Sequence, residues 1–282
     1  MWIFKRVVDI QAFLQKKRFT NQKIGFVPTM GALHQGHTRL VEESNASTEI
    51  TVCSIFVNPT QFNDKKDLEK YPRTVEKDII SLIKAGCNVL FLPDAAEIYP
   101  EPVTKKYDLG RLETVFEGSS RPGHFQGVCQ VVERLFDIVQ PDEVFFGQKD
   151  YQQCMVINRL LDINPAFKNI TMNIVPTIRE ASGLAMSSRN MRLSREERQT
   201  AETIYQVLNL LKEKLKPGTL QSLLTEAQQK LTGEGFKPDY VSIANANTLE
   251  PVTNWDGNTP LVALIAAFLG DVRLIDNMVL TN

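Results

Sequence analysis

The sequence contains few cysteines and histidines, no long apolar run and almost no net charge. Its four cysteines, at positions 53, 87, 129 and 154, include no C-x-x-C pair, which argues against a zinc knuckle or a thioredoxin-type redox site. The 282 residues carry 32 Lys and Arg and 33 Asp and Glu, a net charge of −1, so neither nucleic acid nor an acidic membrane surface is expected as the main partner. The longest apolar run, Leu261–Leu269, is far shorter than the roughly 20 residues that cross a membrane.

The composition is typical of a soluble globular protein, with 43% apolar and 23% charged residues. The first residues, MWIFKR, lack the apolar segment of a signal peptide, and we therefore expect a cytoplasmic protein. Three cysteines, at 53, 129 and 154, lie inside apolar stretches, which predicts free buried thiols. At roughly 150 residues per domain, the length fits one large domain or two modest ones.

Over residues 1–175, short β-branched or aromatic runs alternate with helical periodicity. Strands are predicted at 24–27 (ending at Pro28), 50–57, 89–92, 144–146 and 170–175. Helices are predicted from Thr74 to Gly86, over 128–139 and through Ile157 and Leu161. This βαβα order predicts an α/β fold, a Rossmann-like doubly wound parallel sheet with helices on both faces.

After about residue 176 the pattern changes to helices followed by strands. Ser194 and Glu197 form a capping box that predicts the start of one helix, and Thr219 is expected to open a second after Pro217-Gly218. Strand-like runs follow at 240–244, 261–268 and 272–280, with a turn at Gly270-Asp271. We expect a second, smaller α+β domain over 176–282, and residues 176–192 could belong to either domain.

The usual nucleotide-binding loops, GxxxxGK[ST] and GxGxxG, are missing. Instead, the first predicted strand is followed by two glycines and two histidines within seven residues: Gly31, His34, Gly36 and His37. Open α/β sheets bind ligands outside the carboxyl ends of their strands, and a following helix would direct its N-terminus at an anion there. The alternatives are a surface turn or a pair of metal ligands, but phosphate binding accounts for both glycines and both histidines.

The H-x-G-H element at 34–37 resembles the nucleotidyltransferase superfamily that includes the class I aminoacyl-tRNA synthetases. With PTMGAL (28–33) before it, the chain resembles the pantothenate synthetase (pantoate–β-alanine ligase) family. Four further blocks agree in the same order: FVNPTQF (56–62), YPRT (71–74), FFGQKDYQQ (145–153) and GLAMSSRN (183–190). Gln35 and Gln148 stand where acidic residues are common in the family, and Ser182 where Asp or Gly is common.

The resemblance implies a two-step ligation in the cytoplasm by a homodimer. Pantoate attacks the α-phosphate of ATP to give pantoyl adenylate and pyrophosphate, and the amine of β-alanine then displaces AMP to give pantothenate. Mg²⁺ is expected to accompany ATP, and no protein metal ligands are expected. Residues 1–175 would bind ATP and pantoate, and 176–282 would include the lid. Two alternatives stay open: a nucleotidylyltransferase of the same superfamily that acts on a phosphorylated acceptor, and a non-enzymatic ATP-binding module.

By the resemblance, His34, His37, Lys149 and Arg189 are the catalytic candidates. The candidate ATP-binding residues are Met30, Gly31, Ala32, Leu33, His34, Gln35, Gly36, His37, Gly147, Gln148, Lys149, Asp150, Ile178, Met186, Ser187, Ser188 and Arg189. Gln61 and Gln153 are expected to bind pantoate, and Gln61 also β-alanine, because a glutamine amide both donates to and accepts from a hydroxy acid. Asn58 is a weaker candidate for the same cleft, and the RPGH run at 121–124 is either part of the site or a loop.

Overall fold

The computed structural model describes residues 1–62, 68–69 and 71–281. It divides into two compact units. The N-terminal unit comprises Met1–Gly147 and Gln152–Pro176, and the C-terminal unit comprises Gln148–Tyr151 and Thr177–Asn282. The chain thus leaves the N-terminal unit for one short turn after Gly147 and returns to it.

A six-stranded sheet forms the centre of the N-terminal unit. Its strands are β1 (Trp2–Phe4), β2 (Ile24–Thr29), β3 (Ile50–Ile55), β4 (Val89–Phe91), β5 (Glu143–Gly147) and β6 (Thr171–Val175). They lie in the order β1-β4-β3-β2-β5-β6, and every pair is parallel. All six residues of β3 are buried, as expected of a parallel strand covered on both faces. The predicted fold class is confirmed.

Helices connect these strands. They are α1 (Val7–Phe19), α2 (Gln35–Ser47), α3 (Val75–Lys84), α4 (Ala95–Ile98), α5 (Phe116–Ser120), α6 (His124–Val139) and α7 (Tyr151–Ile163). Short 3-10 turns lie at Pro59–Gln61, Gly110–Glu113, Gln148–Asp150 and Pro165–Phe167. The apolar stripe of α6 packs into a core with β2 and β5, where Phe26, Phe136 and Val144 are almost fully buried.

Strand β2 continues through Pro28 to Thr29, so the predicted break at Pro28 is wrong. The carbonyl of Ile24 accepts the N–H of Asp142, next to β5. The backbone N–H and C=O groups of alternate residues in a strand point toward the same neighbouring strand. The nitrogen of Pro28, four residues after Ile24, therefore also points toward β5. Pairing between β2 and β5 covers only Gly25 and Phe26. Because the ladder has already ended there, the missing N–H of Pro28 removes no ladder hydrogen bond.

The chain order reverses at β2. Strands β3 and β4 lie on one side of it, and β5 and β6 lie on the other. The carboxyl ends of β2 and β5 therefore flank the topological switch point, where open α/β sheets bind ligands. The segment 30–37 begins at this point.

In the C-terminal unit, helices α8 (Arg195–Ala201), α9 (Thr203–Lys214) and α10 (Gln221–Gly233) pack on an antiparallel sheet. The sheet order is β11-β10-β8, with β8 at Lys237–Asn245, β10 at Leu261–Leu269 and β11 at Val272–Val279. Strands β7 (Gly218–Thr219) and β9 (Asn254–Trp255) form a small pair. A 3-10 turn covers Ser188–Arg192.

Local sequence signals placed a cap and a turn correctly in this unit and misplaced one helix start. The capping box is confirmed: the Glu197 N–H donates to Ser194 Oγ at 3.1 Å, and the Ser194 N–H donates to Glu197 Oε2 at 2.8 Å. The turn at Gly270-Asp271 between β10 and β11 is also confirmed. The helix expected from Thr219 begins instead at Gln221, because Gly218 and Thr219 pair with β9.

All four cysteines are free and buried, as the apolar context of three of them predicted. Burial raises the pKa of Cys87 to about 11 and that of Cys129 to about 12, so both thiols stay protonated at neutral pH. Among the residues that the structure describes, no helix is long and apolar enough to cross a membrane.

Candidate active site

The segment after β2 is held by a buried carboxylate that sequence reasoning did not identify. Asp78, on α3, is 2% exposed. Its two oxygens accept the backbone N–H groups of Ala32 at 3.0 Å and Leu33 at 2.8 Å, and its Oδ1 also accepts the hydroxyl of Thr74 at 3.1 Å. Gly31 adopts φ +81° at the start of this turn, a conformation that favours glycine. The candidate residues 31–33 thus have a fixed backbone conformation.

His34 and His37 form a reciprocal cap at the N-terminus of α2. His34 Nδ1 accepts the N–H of Gly36 at 3.1 Å, and His37 Nδ1 accepts the N–H of His34 at 3.3 Å. The ring centroids lie 4.1 Å apart. Because Nδ1 is an acceptor in both rings, each neutral imidazole carries its proton on Nε2. The pair therefore provides two Nε2–H donors at the positive end of a helix dipole.

Gly36 is required by this cap. A Cβ at position 36 would lie 2.8 Å from Cε1 and 2.9 Å from Nδ1 of His34, since the ring folds back over the first turn of the helix. Any larger residue would displace the imidazole. This contact gives a physical reason for glycine between the two histidines.

We expect Asp78→Asn to lower the free energy of unfolding by about 2 kcal/mol, because the amide would turn an N–H group toward a backbone donor. The same change should slow the ATP-dependent step, since residues 31–33 lose one of their two backbone hydrogen bonds to the side chain at position 78. Urea denaturation and single-turnover kinetics measure these two effects. Asp94→Asn is the matched control, because Asp94 caps α4 through the Glu97 N–H and asparagine caps equally well. A stability loss with unchanged ATP kinetics would show that Asp78 only supports the fold.

Gln61 lies in the turn after β3 and is 8% exposed. Its Nε2 donates to Met30 Sδ at 2.9 Å, and its Oε1 accepts from Asn58 Nδ2 at 3.3 Å. Asn58 also donates to the carbonyl of Gly127 at 3.0 Å and accepts from the Tyr99 hydroxyl at 2.9 Å. Burial raises the pKa of Tyr99, which keeps this hydroxyl protonated as a donor. Asn58 therefore orients Gln61, and Met30 joins a candidate ATP residue to the candidate pantoate residue.

His124 and Arg121 also lie beside Gln61, although the sequence could not decide whether this run is part of the site. His124 is 6% exposed, and its Nδ1 lies 2.8 Å from the carbonyl of Gln61. With the proton on Nδ1, its Nε2 accepts from Arg121 Nη1 at 3.2 Å. The RPGH run thus brings a guanidinium next to the backbone of Gln61.

Two neighbouring glutamines on α7 have different surroundings. Gln152 is 3% exposed, and its amide accepts the N–H of Glu117 and donates to the carbonyls of Leu112 and Val115. Gln153, the candidate pantoate residue, is half-buried in the first turn of the same helix. Gln61 follows β3 and Gln153 follows β5, and these strands are the two neighbours of β2. The candidate residues of the N-terminal unit therefore follow three adjacent strand ends.

In the C-terminal unit, a short hairpin carries the second group of candidates. The Met186 N–H donates to the carbonyl of Ile178 at 2.9 Å, so these two candidate ATP residues pair directly. Ser187 then caps the turn at Ser188–Arg192 by accepting the Arg189 N–H on its Oγ at 3.2 Å. Asn190 supports the hairpin by donating to the carbonyl of Ala185 at 3.0 Å.

Lys149, Ser187 and Arg189 line one open cleft of about 370 Å³ within the C-terminal unit. The side chain of Lys149 is 15% exposed, and its Nζ lies 3.7 Å from Asp150 Oδ1. Its neighbours Gln148 and Asp150 belong to the same 3-10 turn, directly after Gly147 at the end of β5. Over 1–62, 68–69 and 71–281, no group of three or more His, Cys, Asp and Glu side chains could hold a metal ion.

Comparison with known proteins identifies the family. The family model described as Pantoate-beta-alanine ligase matches residues 2–279. The chain belongs to the pantoate–β-alanine ligase family. It is 44% identical to the pantothenate synthetase of Porphyromonas gingivalis over 281 residues, which cover 99% of each chain. The activity of this ligase is therefore the condensation of pantoate with β-alanine to pantothenate.

Solved ligase structures agree over the whole chain. The pantothenate synthetase of Thermus thermophilus superposes with a TM-score of 0.91 at 38% identity, covering 100% of both chains. The pantoate–β-alanine ligase of Francisella tularensis, solved in complex with beta-gamma ATP and β-alanine, gives a TM-score of 0.83 at 34% identity, covering 99% of this chain and 97% of that one. The predicted family and ligase activity are confirmed, and the nucleotidylyltransferase and binding-module alternatives are set aside.

Proposed function

We propose that this ligase works through a pantoyl-adenylate intermediate, with ATP bound at the segment 30–37. The observation that carries the proposal is the histidine cap, which places two imidazole rings at the N-terminus of α2, where their Nε2–H groups would donate to phosphate oxygens. Pantoate would attack the α-phosphate, so negative charge would increase on the departing pyrophosphate. Fixed N–H donors aimed at that charge stabilise the transition state more than the ground state.

Lys149, Ser187, Ser188 and Arg189 are proposed to bind the same phosphates. The cleft that Lys149, Ser187 and Arg189 line supports this role, because three cationic residues, Lys149, Arg189 and Arg273, line it beside a capped turn. Ile178 and Met186 are proposed to contact the nucleoside through their paired backbone. The remaining proposed ATP contacts are Met30, Gly31, Ala32, Leu33, Gln35, Gly36, Gly147, Gln148 and Asp150.

Gln61 and Gln153 are proposed to bind the hydroxyls and carboxylate of pantoate, and β-alanine would adjoin Gln61. The network around Gln61 supports this assignment, because Asn58 orients the amide before any ligand arrives. No nucleophilic side chain is needed, since the rate would come from holding the two reactants in line. The complex of the F. tularensis relative with beta-gamma ATP and β-alanine supports both as substrates.

ATP would enter as its magnesium complex. Mg²⁺ is commonly held by substrate phosphates with one or two carboxylates at most. We further propose that the C-terminal unit acts as a lid that protects the adenylate from water, and that the enzyme is a cytoplasmic homodimer.

The decisive experiment is pyrophosphate release from the purified enzyme with magnesium and ATP, with and without pantoate, and with β-alanine omitted. We expect a pantoate-dependent burst of pyrophosphate, with AMP released over many turnovers only after β-alanine is added. Pantoate labelled with ¹⁸O in its carboxylate should transfer one labelled oxygen to AMP, because the carboxylate oxygen bonded to phosphorus leaves with the phosphate. Unlabelled AMP, or pyrophosphate release that needs β-alanine, would exclude the adenylate route.

A further inference from the structure

We propose that Asn277 is a positioning residue that places Lys149 for phosphate transfer, by holding the backbone of the turn that carries it. The inference rests on the proposed function, since it takes the role of Lys149 from there. Asn277 lies on β11, near the end of the chain and far in sequence from every candidate site residue. It does not contact the ligands in this proposal; it acts through Lys149.

Both N–H groups of the Asn277 side-chain amide donate to the 3-10 turn at Gln148–Asp150. Nδ2 donates to the carbonyl of Gln148 at 2.9 Å and to the carbonyl of Lys149 at 2.8 Å. Oδ1 accepts from Gln148 Nε2 at 3.4 Å. The residue is 2% exposed. Two successive carbonyls are therefore fixed by one buried amide, which sets the direction in which the Lys149 side chain leaves the backbone.

The backbone of Asn277 is held in turn by an ion pair between the buried Asp276 and the half-buried Arg179. Asp276 Oδ1 accepts the Asn277 N–H at 2.8 Å, and Asp276 Oδ2 accepts from Arg179 Nη1 at 2.6 Å. Arg179 Nη2 also donates to the carbonyl of Asn277 at 3.3 Å. Arg179 belongs to the hairpin that pairs Ile178 with Met186. One position on β11 thus links the turn of Lys149 to the hairpin that precedes Ser187 and Arg189.

A purely structural role explains this arrangement less well. Strand β11 already pairs with β10 from Val272 to Val279, so its place in the sheet does not depend on the Asn277 amide. The amide fixes only the 3-10 turn at Gln148–Asp150, whose third residue is followed directly by α7. The amide therefore serves to fix the backbone conformation of Gln148 and Lys149.

The test is a double-mutant cycle read by the single-turnover rate of pyrophosphate release. Asn277→Ala removes both donors without adding a charge, and we expect about a 10-fold loss of rate, with the pantoate KM changed less than about 2-fold. Asn277→Asp places carboxylate oxygens against the two carbonyl oxygens, which repel them, and we expect about a 100-fold loss of rate. In a Lys149→Ala background neither change should slow the reaction further, because the group being positioned is gone.

Ile243→Val is the control for general weakening of this unit, since Ile243 is a fully buried core residue of β8, which β10 separates from β11 in the sheet. It should lower Tm and leave the rate unchanged. If the double variant shows the product of the rate losses of Asn277→Ala and Lys149→Ala, Asn277 does not act through Lys149 and the inference is overturned. If Lys149→Ala itself keeps the normal rate, the proposed function of Lys149 fails instead. Should Asn277→Asp not fold, the cycle with Asn277→Ala decides alone.

Discussion

Replacing Lys149 with alanine should lower the single-turnover rate of adenylate formation by about 100- to 1,000-fold, while ATP binding changes little. Lys149 lines one cleft with Ser187 and Arg189, where the charge of the leaving pyrophosphate would develop. A contact that strengthens in the transition state affects the rate more than the affinity. Rapid-quench measurement of pyrophosphate, together with the Kd of ATP, separates the two effects.

Two further variants test whether the rate loss is due to the charge of Lys149. Lys149→Met keeps the aliphatic stem and should be as slow as alanine if the charge is what matters. Lys216→Ala removes an exposed lysine of the same unit and should leave the rate unchanged. Collapse of ATP binding with an intact single-turnover rate would mean that Lys149 binds the ground state only, and its assigned role would be wrong.

Replacing Gln61 with alanine should raise the KM for pantoate by about 10- to 100-fold and leave the KM for ATP nearly unchanged. The amide is buried and oriented by Asn58, so the pantoate hydroxyls would lose a prepared partner that water replaces poorly. Gln61→Glu keeps the shape but replaces the N–H donor with a second acceptor, which should repel the pantoate carboxylate. Steady-state kinetics with each substrate varied in turn give the comparison.

Gln130→Ala is the matched control. This α6 glutamine also donates a side-chain hydrogen bond, to the carbonyl of Lys105, but it is not a candidate site residue. It should behave as the unmodified enzyme. An equal loss of affinity for pantoate and ATP in Gln61→Ala would place Gln61 outside the pantoate pocket. Its contact with Met30 would then be its main role.

Patterns that depend on near neighbours were predicted well from the sequence. The capping box at Ser194 and the alternation of strands and helices in the N-terminal unit follow from local hydrogen bonding and from apolar periodicity. Pro28 was misjudged because the general effect of proline on a strand depends on which neighbour its nitrogen faces. That neighbour, β5, is more than 100 residues away in the chain and stops pairing at Phe26.

By itself, the sequence determined the fold class and the family, and it predicted candidate site segments, because the H-x-G-H element and the other blocks are contiguous and keep their order. Only the tertiary structure decided which side chains hold those segments in place. Asp78 is 46 residues from Ala32, and Asn277 is 128 residues from Lys149. Each is a buried polar residue whose hydrogen bonds go to distant backbone groups. Such pairs can be identified only in the folded chain, where most buried donors and acceptors are hydrogen-bonded.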